Sequence, residues 1–391
     1  MSFMKNIGIY IHIPFCKQKC KYCDFVSFSN KENMVEKYFK CLLMEIEEKS
    51  KDYKEEIING VKQKIGVNTI YIGGGTPSFV DEKYIEEIIV KIKSCFKVEK
   101  NAEITIEVNP GTVTKEKLKK YLNAGINRIS IGLQSTNNDL LKMLGRIHNY
   151  EDFETTYNMV RNTGFKNVNV DLMLGLPNQT IEDMENSLNK VIEKNPEHIS
   201  VYSLIVEENT RMFDLIKSGE LTLPDEEIER KMYWTIKKRL EEAGYKHYEI
   251  SNFSKPKKES KHNLNCWNQE SYLGMGIAAH SYFGGMRFSN IENMKQYVEN
   301  FKNGASIHNV IFHENQNKEE MMKEYMLLGL RKIDGVDITE FKNKFSENLI
   351  YVFRNELNKL IEEDLIVINK NNVKLTNRGI DVANQVWMEF V

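Results

Sequence analysis

Through the first two-thirds of the chain, short runs rich in β-branched residues alternate with longer, charged amphipathic stretches. The runs at 7–13, 68–72, 103–108, 128–132, 167–171 and 198–203 predict strands. In the first, Ile9, Ile11 and Ile13 face one way and Tyr10 and His12 the other, the period-two pattern of a strand. Helical patterns lie between them at 34–49, 82–96, 115–125 and 181–194. Gly125 and Gly164 close helices, and Pro196 follows another. Six repeats of strand then helix predict an α/β fold with a parallel sheet and right-handed crossovers. Six units are too few for a closed barrel of eight, so the expectation is an open, partial (β/α)6 barrel. Such folds place their sites at the C-terminal ends of the strands.

The alternation fades after about residue 210. Residues 245–290 are rich in Tyr, Ser, Asn, Gly and His and read as loops with short strands. From about residue 314 helical patterns return, and LIVINKNNVKLT reads as a hairpin turning at Asn371–Asn372. Three helices and a hairpin make this tail winged-helix-like. The expected organisation is a barrel over 1–240, a linker covering the pocket over 241–310, and a smaller, mainly helical domain over 311–391.

Charge narrows the partners. The 391 residues carry 54 Lys and Arg against 56 Asp and Glu, a net of -2, which excludes a basic nucleic-acid coat and a polybasic membrane binder. Residues 314–391 hold 11 basic and 14 acidic side chains, so no nucleic-acid partner is expected despite the winged-helix look. No stretch approaches the ~18 consecutive apolar residues of a membrane span. The N-terminal run IGIYIHIPFC is broken by His12 and Pro14 and has Phe15 before Cys16, so it reads as a strand rather than a signal. A cytoplasmic location is expected, and there thiols more often bind metal or catalyse than form disulfides.

Cys16, Cys20 and Cys23 form C-x3-C-x2-C directly after the first strand. Three soft thiolates on one loop can hold three irons of a [4Fe–4S] cube, leaving the fourth iron open to a substrate. Zinc, with His12 or a distant group as fourth ligand, is the alternative. Cys41 and Cys95 fall in helical patterns and read as small core residues. Gly73, Gly74 and Gly75 end the second strand, where backbone without side chains can approach a ligand. No Lys-Ser/Thr follows, so a phosphate loop is not supported. GMGIAA, Gly274 to Ala279, fits a dinucleotide fingerprint but lacks its βαβ context, and is expected to be a turn lining the pocket mouth.

Seven segments in order, YIHIPFCKQKCKYCDF, YIGGGTPS, ITIEVNPG, RISIGLQS, LGRIHN, VDLMLGLPNQT and SVYSLI, resemble one known family. It is that of the radical S-adenosylmethionine (SAM) proteins related to oxygen-independent coproporphyrinogen III oxidase. The resemblance runs from about residue 7 to the C-terminus. It implies that Cys16, Cys20 and Cys23 hold the cluster and that SAM chelates the fourth iron. It implies further that Tyr10 and Tyr22 pack beside cluster and SAM, and that Gly74, Gly75 and Thr76 approach SAM through the backbone. Glu107 matches the family's SAM-binding carboxylate. Gln134, Arg146 and Asp171 match the polar set for the SAM carboxylate and ribose, and Ile205 an apolar adenine contact.

Two departures separate the chain from the oxidase branch. That branch has a cysteine two positions beyond the last cluster ligand, where this chain has Phe25, and a long N-terminal extension, where only nine residues precede Tyr10. Both match the heme-chaperone branch, which binds a [4Fe–4S] cluster, SAM and heme and hands heme to an acceptor. That branch's H-N-x-x-Y-W motif is met by His262, Asn263 and Trp267, with Cys266 in place of Tyr. The resemblance implies heme contacts from these residues. It implies as partners a heme-acceptor protein and an electron donor such as flavodoxin or ferredoxin, with peripheral membrane contact at hand-over. The alternative activity is oxidative decarboxylation of coproporphyrinogen III to protoporphyrinogen IX.

Overall fold

The computed structural model describes residues 6–53, 55–58, 61–304 and 306–391. The expected barrel range of 1–240 therefore begins outside the described residues. Six parallel strands lie side by side in chain order: β1 (Asn6–Ile13), β2 (Gly66–Gly74), β3 (Lys97–Val108), β4 (Arg128–Gln134), β5 (Val168–Leu174) and β6 (His198–Ser203). The crossovers carry α1 (Val35–Tyr53), α2 (Glu82–Cys95), α3 (Lys115–Ala124), α4 (Asn138–Leu144), α5 (Tyr150–Thr163) and α6 (Ile181–Lys194). Strands that follow one another in order through right-handed crossovers put every helix on the same face. The sheet curls with that face outward, giving the predicted partial barrel.

The alternation seen in sequence sorts side chains between its two faces. Ile9, Ile11, Ile72, Ile106, Ile131 and Val170 are fully buried, and they belong to the core that includes Ile85 and Ile88 of α2 and Leu118 of α3. The intervening positions, among them Tyr71, Glu107, Ser130, Asp171 and Ser200, turn to the concave side. Helix ends follow the expected stops: α3 and α5 close on Gly125 (φ 102°) and Gly164 (φ 111°). Thr180 and Asp183 form a capping box on α6, which ends at Asn195 just before Pro196.

Residues 241–310 differ from the linker expected there, because they extend the sheet at both edges. After α7 (Arg211–Lys217) and α8 (Glu226–Glu242), β7 (Lys246–Glu249) and β8 (Asn252–Ser254) continue it antiparallel beyond β6. α9 (Lys261–Trp267) crosses to the other edge, where β9 (Tyr272–Met275) runs parallel to β1. β10 (His280–Phe283), β11 (Met286–Asn290), α10 (Met294–Lys302) and β12 (Val310–Asn315) complete twelve strands. Gly274 to Ala279 does hold a turn, at Gly276–Ala279, where the Ala279 N–H donates to the Gly276 carbonyl (3.3 Å), but it follows β9 in the core and does not line the cavity. The end of β9 and this turn are buried and held by α1: the buried Glu45–Lys49 pair (2.8 Å) accepts from the Gly276 N–H and donates to the Gly274 carbonyl.

A second core lies in α11 (Lys318–Gly329), β13 (Val336–Asp337), α12 (Ile338–Phe345), α13 (Leu349–Val352), α14 (Arg354–Glu362), β14 (Ile366–Asn369), β15 (Asn372–Leu375), α15 (Asn377–Asp381) and α16 (Ala383–Met388). It is built around Phe341, Phe353, Leu357 and Val386. Asn369 pairs with Asn372, so the hairpin turns at Lys370–Asn371, one residue earlier than expected, with Lys370 at φ 55°. Among the described residues no helix is long and apolar enough to cross a membrane.

Because this core is separate, damage to it stays local. Phe341→Ala removes a fully buried ring and is expected to cost about 3–5 kcal/mol. Hydrogen exchange should show α12 and α14 losing protection while β1–β6 keep theirs.

Candidate functional site

The three cysteines sit on a loop that leaves β1 and is pinned on several sides. At its neck the Cys16 N–H donates to the Phe28 carbonyl (3.0 Å) and the Phe28 N–H to that of Pro14 (2.7 Å). Farther out, the Lys21 N–H donates to Leu144 O (3.0 Å), Gln18 Nε2 to Gly145 O (3.0 Å), and the Met212 N–H to Lys21 O (2.8 Å). Cys16, Cys20 and Cys23 are unpaired thiols, and all three line a cavity of about 560 Å³ at the C-terminal ends of the barrel strands.

The glycine turn after β2 forms the adjoining wall. The Gly75 N–H donates to Ile13 O and the Thr76 N–H to Phe15 O, each at 2.8 Å, and the Thr76 hydroxyl donates to Cys16 Sγ at 3.5 Å. A Cβ on Gly75 would stand 3.0 Å from that sulfur, and Gly74 sits at φ +111° with the His12 ring where a Cβ would go. Burial raises the Cys16 and Cys23 thiols, while the Arg146 guanidinium lowers that of Cys16. Arg146 Nη1 reaches Cys20 Sγ (3.6 Å) and Tyr22 OH (3.5 Å), and Nη2 donates to Asn109 Oδ1 and Gly132 O, both at 2.7 Å.

Soft donors around one cavity, with a permanent cation against them, fit an anionic iron–sulfur cluster. Among the described residues no three His, Cys, Asp or Glu side chains converge on a single-ion site. A cube needs no such convergence, since each thiolate meets its own iron. His12, the alternative fourth ligand for zinc, has both ring nitrogens engaged, Nε2 with Val26 O (2.8 Å) and Nδ1 with Tyr10 OH (3.0 Å).

The cavity's opposite side is acidic. Glu107 accepts from Tyr71 OH (2.8 Å) and from the Gly74 N–H (3.2 Å), and burial first, then the neighbouring Asp171 charge, push it up to about 7. Asp171 accepts from Asn169 Nδ2 (2.7 Å) and Ser130 Oγ (3.4 Å), and burial raises it too. Gln134 holds a left-handed φ of +74° and accepts from Tyr202 OH (2.9 Å); a non-glycine residue in that region marks stored strain of the kind found at ligand sites. Carboxylates on one side and Arg146 on the other suit a zwitterion carrying an ammonium and a carboxylate.

The predicted residues Tyr22, Gly74, Gly75, Thr76 and Glu107 line this cavity, as do Gln134, Arg146, Asp171, Ile205 and Asn263. Ile205 stands exposed at its rim. Three do not reach it. Tyr10 turns to the same concave side but is spent on His12 and on stacking with Tyr71 (6.3 Å). His262 is buried, with Nδ1 bonded to Thr69 Oγ1 (2.9 Å) and its ring stacked on Tyr71 (5.2 Å). Trp267 faces the C-terminal domain, with the Arg331 guanidinium 4.5 Å from its ring centre. Cys266 is half-buried, its thiol pushed up to about 11 by burial. Asn109, Tyr71 and Tyr202 were missed; each is a polar side chain at or near a strand's C-terminal end, and the strict alternation within the strands marks Tyr71 and Tyr202 as inward-facing.

The radical SAM superfamily model matches residues 10–191, and the HemN C-terminal domain model matches residues 316–382. Fold and cavity together therefore define a radical SAM protein, and that superfamily implies a [4Fe–4S] cluster and SAM. Heme chaperone HemW of Bacillus subtilis is 38% identical over 98% of both chains, and that of Lactococcus lactis 34% identical over 99% of this chain and 98% of its own. That of Haemophilus influenzae is 36% identical over 100% and 99%. The chain belongs to the HemW family. The solved structure of coproporphyrinogen III oxidase (HemN) from Escherichia coli shares its fold, with a TM-score of 0.83 and 21% identity over 99% of this chain and 90% of that one.

The Tyr71 hydroxyl stabilises the ionised form of Glu107, so its removal has a definite sign. In Tyr71→Phe the carboxyl should titrate above the wild-type value of about 7, read by carbon NMR of the labelled, ligand-free protein.

Proposed function

We propose that this chain is a heme chaperone that binds a [4Fe–4S] cluster, SAM and heme and passes heme to an acceptor protein. The observation that carries this reading is the end-to-end similarity to curated HemW chaperones, against a likeness to the oxidase that is one of fold alone. Phe25, exposed at the cavity's edge, agrees with it, since the oxidase branch has a cysteine there.

Cys16, Cys20 and Cys23 hold three irons, and Tyr22 packs beside them. The cluster, when bound, supplies the electron that cleaves SAM. Arg146 offsets the thiolates' charge and offers its remaining N–H edge to the ligand's carboxylate. Glu107 takes the ammonium beside the Gly74–Gly75–Thr76 backbone. Gln134 and Asp171 orient the ribose, and Ile205 covers the adenine at the rim. Heme is cargo, not a resident group. A heme acceptor, a flavodoxin- or ferredoxin-like electron donor, a cytoplasmic setting and peripheral membrane contact at hand-over belong to the same reading.

One anaerobic incubation of the reconstituted protein with SAM, reductant and coproporphyrinogen III tests it. Chromatography should return the coproporphyrinogen unchanged, and a parallel titration should show saturable heme binding. Multiple-turnover formation of protoporphyrinogen would sink the proposal in favour of the oxidase. Cys20→Ala should lose the cluster's charge-transfer absorbance; a full spectrum in that variant would remove the cysteine assignment.

A further inference from the structure

One buried cation has no part in the roles above. Arg128, the first residue of β4, is only 2% exposed and heads the largest fully buried side chains of the molecule. Among the described residues its guanidinium makes no ion pair, and its Nε has no hydrogen-bond partner. An unpaired charge at such depth is costly, so something must keep it there.

Strand register shows what it faces. Arg128 lies opposite Thr105 on β3, and Ser130, next on the same face, lies opposite Glu107. Gly132, next again, lies opposite Asp171, and Ser130 Oγ donates to that carboxylate. Arg128 therefore sits one layer below the two cavity acids, about 7 Å along the strand from Ser130. The other titratable groups around it are Tyr71 on β2, His198 on β6, Tyr248 on β7 and His262 on α9. Burial, with the Arg128 charge behind it, keeps both imidazoles neutral, His262 pushed down to about 4. On the same strand face Glu103 accepts from the N–H groups of Lys261 and His262, at the end of β3 away from the cavity. Towards the cavity, the Arg128 charge acts on Glu107 and Asp171.

We propose that Arg128 is a positioning residue for SAM: from one layer below, its fixed charge favours the carboxylate form of Glu107 and Asp171 in the ligand-free barrel. The inference rests on assigning the cavity to SAM. Distance is what makes it work. An arginine bonded to either acid would compete with the ligand's ammonium, whereas one out of bonding reach favours the carboxylate form and leaves its oxygens free. Beside Glu107, Tyr10 and Tyr71 stay neutral, and Asp171 opposes a second charge.

The test uses cluster-reconstituted protein and compares SAM dissociation constants from pH 6 to pH 8. The ligand's own titration is common to every variant and cancels in the comparison. Wild type should bind more tightly as pH rises through about 7, where Glu107 ionises. Arg128→Met and Arg128→Gln should move that midpoint up by about one pH unit, weakening binding about fivefold at pH 7, while Arg128→Lys restores it. Melting of the ligand-free Met variant should be no lower than wild type, since a buried unpaired charge has gone. An unmoved midpoint in either charge-free variant overturns the proposal, and a lowered melting temperature beside it assigns Arg128 to packing alone. Wild-type protein that binds no SAM at any pH overturns the cavity assignment, and the role of Arg128 with it.

Discussion

Parallel sheets usually bury apolar side chains on both faces, because crossover helices cover both. Here the helices cover one. The isoleucines and valines of β1 to β6 contribute burial on that face, roughly 1.5–3 kcal/mol for each large side chain. The concave face carries tyrosine, histidine, asparagine and acids, which would cost more than they contribute if left unbonded. Its deeper part is therefore cross-linked: Asn169 joins Ser130, Asp171 and His198, and His198 reaches Tyr248. The part nearest the strand ends is left for a ligand.

That division places the cysteine loop. β1 and β2 pair directly, so the residues just past their ends, the loop neck and the glycine turn, share one hydrogen-bond network. Arg146 then ties the loop's Cys20 and Tyr22 to Asn109 beyond β3 and Gly132 in β4. Glycine at 132 leaves room for this: a Cβ there would stand 3.2 Å from Nη2 and from Asn109 Oδ1 and would push one of them aside. One guanidinium thus sets the distance between the thiols and the polar ledge opposite.

Much of this was legible in the chain. Period-two runs gave the six strands, glycine and proline stops gave helix ends, and three close cysteines with ordered motifs pointed to most of the cavity. What stayed hidden depends on tertiary partners. β9 is four residues long and gains its place by pairing with β1 and β10 and by the Glu45–Lys49 pair, 225 or more positions away in sequence from the glycines it holds. Tyr10 and Tyr71 both alternate inward, yet only Tyr71 lines the cavity, while the Tyr10 hydroxyl is engaged with His12. The hairpin slip at 370–371 is a register detail within two adjacent asparagines and a lysine, all tolerant of turn conformations.

The motif His262–Asn263–Leu264–Asn265–Cys266–Trp267 lies where the barrel meets the C-terminal domain. α9 is seven residues long and is committed along its length. His262 is fastened to Thr69 and Tyr71 in the barrel, and Glu103 accepts the N–H groups of its first turn. At its other end the Arg331 guanidinium lies between Trp267 and Trp387, 4.5 Å from each ring centre, so barrel and C-terminal domain meet through this helix. Only Asn263 looks into the cavity. His262 thus backs Tyr71, the residue whose hydroxyl donates to Glu107. In this arrangement the motif is a joint between barrel and C-terminal domain, and its first histidine supports the tyrosine that holds Glu107.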